Sequence, residues 1–304
     1  MSVVVCGEAM LLMLAEPGIP LERATTFRRS VAGAETNVAA GLARLGHEVR
    51  WLGRVGADPA GASVLAMLRA EGIDTRHAVT DASAPTGLLL RDSHPARAID
   101  VQYYRAGSAA SRLEPEELTP ETVNGARLVH VTGITPMLSD SAHQATLRLL
   151  DLAREAGAVV SFDPNIRLKL GTPALWRERV APLLGRADVV LAGADELELL
   201  QVDPASLDGL VVVKHRDKSA MCGALRQEAF PVPVTDPVGA GDAFAAGFLS
   251  GLLRGMPYEV CLREAAAVAA LVVQCATDTD GLPDRAGLDR ALAAFTEAGE
   301  TVHR

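Results

Sequence analysis

No run of about 18 uncharged apolar residues occurs in the 304-residue sequence, so no helix is expected to cross a membrane. The opening stretch MSVVVCGEAM has no basic segment followed by a cleavage pattern, which points to a cytosolic address. Cysteine is scarce. Cys6, Cys222, Cys261 and Cys275 stand far apart, mostly in apolar runs, and no CxxC pair occurs, so buried free thiols are expected instead of disulfides or a metal cluster. The histidines, His47, His77, His94, His130, His143, His215 and His303, show no HxxxH spacing for a helical metal site. Lysine and arginine never cluster, and with a net charge of -9 this argues against a nucleic-acid surface. Any anionic ligand must therefore be held by local groups. Internal repeats, low-complexity tracts and Gly/Ser linkers are also missing, which favours one domain over residues 1–304.

What is present is a globular chain, 49% hydrophobic, whose short β-rich runs alternate with helical patterns. SVVVCG, EVRWLGRVG, RLVHVTG, AVVSFDPN, DVVLAG and LVVVKH read as strands. TNVAAGLARLG, GASVLAMLRAEG and DSAHQATLRLLDLAREAG read as helices, the first stopped by Gly46. This is the pattern of an α/β fold with a doubly wound, mostly parallel sheet. Residues 9–33 and 86–106 break the alternation. They read as short strands with turns at Pro17-Gly18 and His94-Pro95, and strands inserted in this way are expected to form a flap over a site. In an open parallel sheet that site lies beyond the carboxyl ends of the strands. Polar residues collect there as Asp163-Pro164-Asn165-Ile166-Arg167, whose alternate members face one way if the chain stays extended, and as Asp195-Glu196. The first strand lacks the glycine fingerprint of a nicotinamide dehydrogenase.

The stretch DPVGAGDAFAAGFLSGLL poses a problem of charge. Val238-Gly239-Ala240-Gly241 reads as a bare turn opening a helix from Ala243, where unpaired N–H groups and the helix dipole favour a phosphate. Asp242 adds a carboxylate at the same place. It is either an N-cap or a base that takes a proton from a hydroxyl attacking phosphorus.

Asp236-Pro237-Val238-Gly239-Ala240-Gly241-Asp242-Ala243-Phe244 resembles the C-terminal signature of the ribokinase-like, or PfkB, sugar kinases, and Gly33-Ala34-Glu35-Thr36-Asn37-Val38-Ala39 resembles their N-terminal glycine motif. Within that family the resemblance is greatest to 2-keto-3-deoxygluconate kinases. It is carried by Tyr103-Tyr104-Arg105-Ala106-Gly107-Ser108-Ala109, Thr132-Gly133-Ile134-Thr135-Pro136 and Asp163-Pro164-Asn165-Ile166-Arg167. The resemblance implies a ribokinase-like fold with a β lid and ATP-dependent phosphorylation of the sugar acid at its C6 hydroxyl. Asp242 would be the base, and the N–H groups from Val238 through Gly239, Ala240 and Gly241 would stabilise the transferring phosphoryl group. It further implies Mg2+ held through water by Glu196, and it leaves room for a monovalent cation. Glu196 stands where the family's NxxE acid stands, with Gly193 at the asparagine position.

Substrate contacts are expected from Gly33, Asn37, Tyr103, Arg105, Ile134, Arg167 and Asp242, and nucleotide contacts from Asn165, Arg167, Gly193, Glu196, Lys214, Gly239 and Gly241. A substrate carboxylate wants a charged fork, and Arg105 shares a strand face with Tyr103 if VQYYR is extended. Three features depart from the pattern. Leu89 replaces a frequent lid tyrosine. Lys214-His215-Arg216-Asp217-Lys218-Ser219 lacks the family's two glycines. Ala266 and Thr277 stand near the usual asparagine and glycine. These departures keep open a fructokinase-like enzyme and a non-catalytic sugar-binding regulator. The lid's leucines and tyrosines are expected to pair with a second copy as a homo-oligomer.

Overall fold

The computed structural model describes residues 2–94 and 99–301; Pro95 of the expected His94-Pro95 turn, and His303, lie outside them. In chain order the strands are β1 Ser2–Cys6, β2 Met10–Ala15, β3 Phe27–Ala32, β4 Glu48–Leu52, β5 Arg54–Gly56, β6 Val79–Asp81, β7 Leu88–Arg91, β8 Val101–Tyr104, β9 Leu128–Thr132, β10 Val159–Asp163, β11 Val189–Gly193, β12 Leu210–Lys214, β13 Ala220–Cys222 and β14 Leu225–Gln227. The helices are α1 Ala34–Arg44, α2 Pro59–Ala70, α3 Pro120–Val123, α4 Asp140–Glu155, α5 Pro173–Leu184, α6 Ala194–Leu200, α7 Ala240–Leu253, α8 Tyr258–Val272 and α9 Arg285–Thr301.

The main sheet runs β14-β13-β12-β11-β10-β9-β1-β4, parallel from β4 to β12 and closed by an antiparallel β12-β13-β14 meander. Because side chains alternate across a strand, β1 feeds two cores: Val3 and Val5 pack with α1, α7 and α8, while Val4 and Cys6 pack with α4 and α5. The buried residues of these helices are mainly Ala, Val and Leu, which lets helix and sheet backbones approach closely. Cys6, Cys222 and Cys261 are buried free thiols and Cys275 is partly buried, as expected. Among the described residues no helix is long and apolar enough to span a membrane.

Strand order reverses at β1, which has β4 on one side and β9 on the other. The loops leaving β1 and β9 therefore diverge and open a crevice at their carboxyl ends. Over that crevice lies a second sheet, β3-β2-β7-β8, built from the two segments that broke the α/β alternation. Its register puts Leu12 beside Leu89 and Leu89 beside Tyr103, so these share one face with Met10 and Arg91; Leu11, Met13, Leu88, Leu90 and Tyr104 share the other. That second face was expected to be openly apolar. Its leucines are instead half-buried, Leu11 against the main core, and its large apolar group open to solvent is Tyr104, 60% exposed, beside the polar Arg29 and Gln102.

Candidate active site

A cleft of about 810 Å³ runs between the two sheets. It is lined by Gly33, Asn37, Tyr103, Arg105, Ile134, Asn165, Arg167, Gly193, Glu196, Lys214, Gly239, Gly241 and Asp242, and so gathers every expected site residue except Ala240.

The turn at the head of α7 is its centre. Gly239 is the N-cap, with φ of +83°, and a side chain there would meet the backbone of Asp278 at 3.0 Å. Only glycine suits both conditions. The helix begins at Ala240, earlier than the expected Ala243, which makes Asp242 a third-position residue and removes the N-cap reading of its carboxylate. Its oxygens instead accept Asn37 Nδ2 at 2.8 Å and Asn165 Nδ2 at 3.2 Å. Burial pushes the Asp242 carboxyl up to about 7, against the stabilising bond from Asn37 and the positive charge of Arg167, with Asp163 and Asp278 adding to the rise. A carboxylate titrating near neutrality is suited to exchange protons.

Not all four turn N–H groups are free for an anion. Val238 donates to Asp236 Oδ1 at 2.9 Å, and Ala240 turns back to the Pro237 carbonyl at 3.3 Å. Helix geometry leaves Gly239, Gly241 and Asp242 without intrahelical acceptors. A side chain at Gly241 would come within 3.8 Å of Lys214 Nζ, so a cation stands beside the same helix end. Lys214 is held by Asp163 Oδ2 at 2.7 Å; burial would lower its pKa, but the charges of Asp163 and Glu196 outweigh that and raise it.

The segment after β10 is not extended. The Asp163 carboxylate accepts the Asn165 N–H at 3.0 Å and folds the chain into a turn, with Asn165 at φ of +44°. That turn sends Asn165 to Asp242 and leaves Arg167 exposed at the cleft mouth. Glu196 ties two loops: its oxygens accept the N–H of Ile166 and of Gly193, both at 2.7 Å. Among the described residues no three His, Cys, Asp or Glu are grouped to hold a metal ion directly. With Glu196 bonded to backbone and Asp163 to Lys214, these carboxylates fit the water shell of a magnesium ion carried on nucleotide phosphates.

Gly33 packs so tightly that a side chain would lie 2.3 Å from the Glu8 carbonyl. Arg105, one residue past β8, sits 5.2 Å from the Tyr103 ring centre, so the two still act together, and Lys169 approaches the same ring at 5.7 Å. Leu89 replaces any hydroxyl at the neighbouring lid position and is buried. The unexpected partner is Glu8. Buried at the carboxyl end of β1, it pairs with Arg105 and leaves Oε1 unbonded. Beside it Glu35, bonded by Thr132 Oγ1 at 2.8 Å and Thr135 Oγ1 at 3.0 Å, is pushed by burial to about 7. The signal for Glu8 was a lone acid following a fully apolar strand; nothing local indicated Arg91 and Asp278, which also line the cleft.

In the β12–β13 loop, Lys218 adopts φ of +71° where a glycine is usual, and Arg216 and Lys218 both face the cleft. Ala266 is buried in α8, and Thr277 Oγ1 accepts the N–H of Asp280.

Residues 1–285 match the model of the pfkB family carbohydrate kinases. The chain belongs to this family. It is 36% identical to a 2-dehydro-3-deoxygluconokinase of Bacillus subtilis, covering 100% of this chain and 98% of that one. It resembles the crystal structure of a PfkB protein from Polaromonas with 39% identity and a TM-score of 0.84 over 95% of this chain and 99% of the other. A fructokinase from Xylella fastidiosa with bound ATP matches with 26% identity and a TM-score of 0.85 over 97% and 99%.

Proposed function

We propose that this kinase transfers the γ-phosphoryl group of ATP to the C6 hydroxyl of 2-keto-3-deoxygluconate, giving 2-keto-3-deoxy-6-phosphogluconate. The observation that carries the reading is Asp242, buried at the head of α7 and oriented by Asn37 and Asn165, between the α7 turn and the Arg105–Tyr103 pair. Arg105 and Arg167 receive the sugar-acid carboxylate, and Gly33, Asn37 and Ile134 shape the sugar floor. Asp242 takes the hydroxyl proton as oxygen attacks phosphorus. The N–H groups of Gly239 and Gly241, with Lys214, face the developing negative charge. Glu196 and Asp163 would hold the water shell of a magnesium ion bound with the nucleotide, which would supply charge neutralisation on the phosphates. The sheet β3-β2-β7-β8, formed by about residues 9–33 and 86–106, is the lid of a single domain. Its reverse face, centred on Tyr104, is where a second copy would dock; light scattering that gives a monomer at micromolar concentration would exclude this. The enzyme works in the cytosol.

A fructokinase-like reading is favoured by one observation: Arg105 already has a carboxylate partner in Glu8, so its charge is matched without a substrate acid. Measuring ADP release with Mg-ATP against a panel of sugar acids and neutral ketoses decides between them. Preference for a ketose sinks the sugar-acid reading, no turnover with any sugar points to a non-catalytic binder, and a potassium titration of the same assay tests for a monovalent cation.

A further inference from the structure

Arg91 ends lid strand β7 and is 2% exposed, yet it plays no part in the chemistry just described. Its guanidinium binds Asp236 Oδ2 at 2.5 Å and Asp278 Oδ1 at 2.6 Å, and reaches the carbonyls of Asp92 and Ala276, each at 3.3 Å. Both carboxylates are buried, so one cation balances two acids away from water. Each acid then leads to one half of the phosphoryl-transfer machinery. Asp236 uses its other oxygen to hold the Val238 N–H at 2.9 Å, which sets the turn leading into Gly239. Asp278 packs its backbone against Gly239, and its Oδ2 stands 3.5 Å from Asn37 Nδ2, the group that also binds Asp242 at 2.8 Å.

We infer that Arg91 is a positioning residue, an internal cation that locks the anion-binding turn and the Asn37–Asp242 pair into register and ties both to the lid strand that covers the sugar. The physical reason is geometric. A planar fork satisfies two carboxylates in fixed directions, so moving β7 moves Asp236 and Asp278 together; an ammonium is a single point and cannot hold both. Buried carboxylates without that cation repel each other and would open the turn. The inference rests on phosphoryl transfer at Asp242 but not on which sugar accepts the phosphoryl group, so it is tested with whichever substrate the wild type uses best. A wild type inactive on 2-keto-3-deoxygluconate but active on another sugar defeats only the substrate assignment.

Two variants are needed because Arg91→Ala strands two acids and can fail to fold. Arg91→Lys keeps the charge. It should lower kcat by about 10-fold or more while the sugar KM changes by less than about 3-fold, since the turn and the Asn37–Asp242 pair are displaced while Gly33, Ile134 and Arg105 stay in place to hold the sugar. Folded Arg91→Ala should lose about 100-fold in kcat, the scale of a misplacement near 1 Å, and millimolar guanidinium should restore about 10-fold by filling the space left by the side chain. A merely structural bond would cost stability without the split between kcat and KM. The inference is overturned if Arg91→Lys retains wild-type kcat, if its loss falls on sugar KM alone, or if folded Arg91→Ala is not rescued by guanidinium.

Discussion

Under the proposed reaction Arg105 carries two jobs that a single substitution confounds, and the pair it forms with Glu8 allows them to be separated. The Arg105 side chain is 11% exposed and that of Glu8 is 1% exposed, so truncating Arg105 leaves a carboxylate buried without its partner. Breaking a buried pair in this way costs about 3 to 5 kcal/mol. Loss of the contact with the Tyr103 ring at 5.2 Å adds about 0.5 to 1 kcal/mol. The cost depends on pH in a defined direction. Burial raises the Glu8 pKa above its ordinary value and Arg105 opposes the rise, so removing Arg105 raises it further. A carboxyl whose folded pKa lies above its unfolded one supports the fold below the unfolded value and loses that support as pH rises through the folded value. Arg105→Ala should therefore show its largest deficit in urea unfolding near about pH 8 and a smaller one near about pH 5.5. Adding Glu8→Gln removes the stranded charge, and the double variant should recover most of the stability. Specificity should not recover. Both variants should lose about 30-fold or more in kcat/KM toward the sugar acid, the lower end of the 2 to 5 kcal/mol for truncating a buried charge partner, while turnover of a neutral ketose changes little. Glu8→Gln alone frees Arg105 and should lower the sugar-acid KM. If the double variant discriminates acid from ketose as well as the wild type does, Arg105 serves only to neutralise Glu8 and its assignment to the substrate carboxylate is wrong.

Asp242→Asn keeps size and hydrogen bonding but removes the base, and kcat should fall by about 100- to 10,000-fold with sugar affinity by calorimetry nearly unchanged; retention of most activity would show that another group takes the proton. The acidic limb of kcat/KM should lie near the Asp242 value of about 7, with activity rising as pH increases through it because the ionised form is the base. Asn37→Ala withdraws a donor that favours the charged carboxylate, so that limb should move to higher pH, and an unmoved limb would detach it from Asp242. Lys218→Gly relieves a left-handed conformation at φ of +71° and should raise stability by about 0.5 to 1 kcal/mol in urea unfolding; a loss would mean that the lysine's own contacts outweigh the strain.

The alternation of buried strands and helices was legible from residue order alone, because strands covered on both faces are mostly apolar, as β1, β9 and β11 are, with His130 and Thr132 the polar exceptions in β9. The lid segments were legible for the opposite reason: they lacked a helical period. So was the turn at the head of α7, since Gly239 and Gly241 mark a backbone nearly bare of side chains and Asp242 follows at once. Turn conformations were harder. Whether Asp163–Arg167 stays extended was open in the sequence, and a local bond from the Asn165 N–H to the Asp163 carboxylate bends it; the place of Asp242 within α7 depended on where Gly239 capped the helix. Charge pairing was invisible. Glu8 and Arg105 are separated by 97 residues, Arg91 and Asp278 by 187, and Asn37 and Asp242 by 205. Residue type and local spacing determine that such groups exist and which strand ends they leave. Only the reversal of strand order at β1 and the fold of the lid sheet across it decide which acid meets which base, because a buried charge is satisfied by whatever the tertiary packing places within a few ångströms, not by its neighbours along the chain.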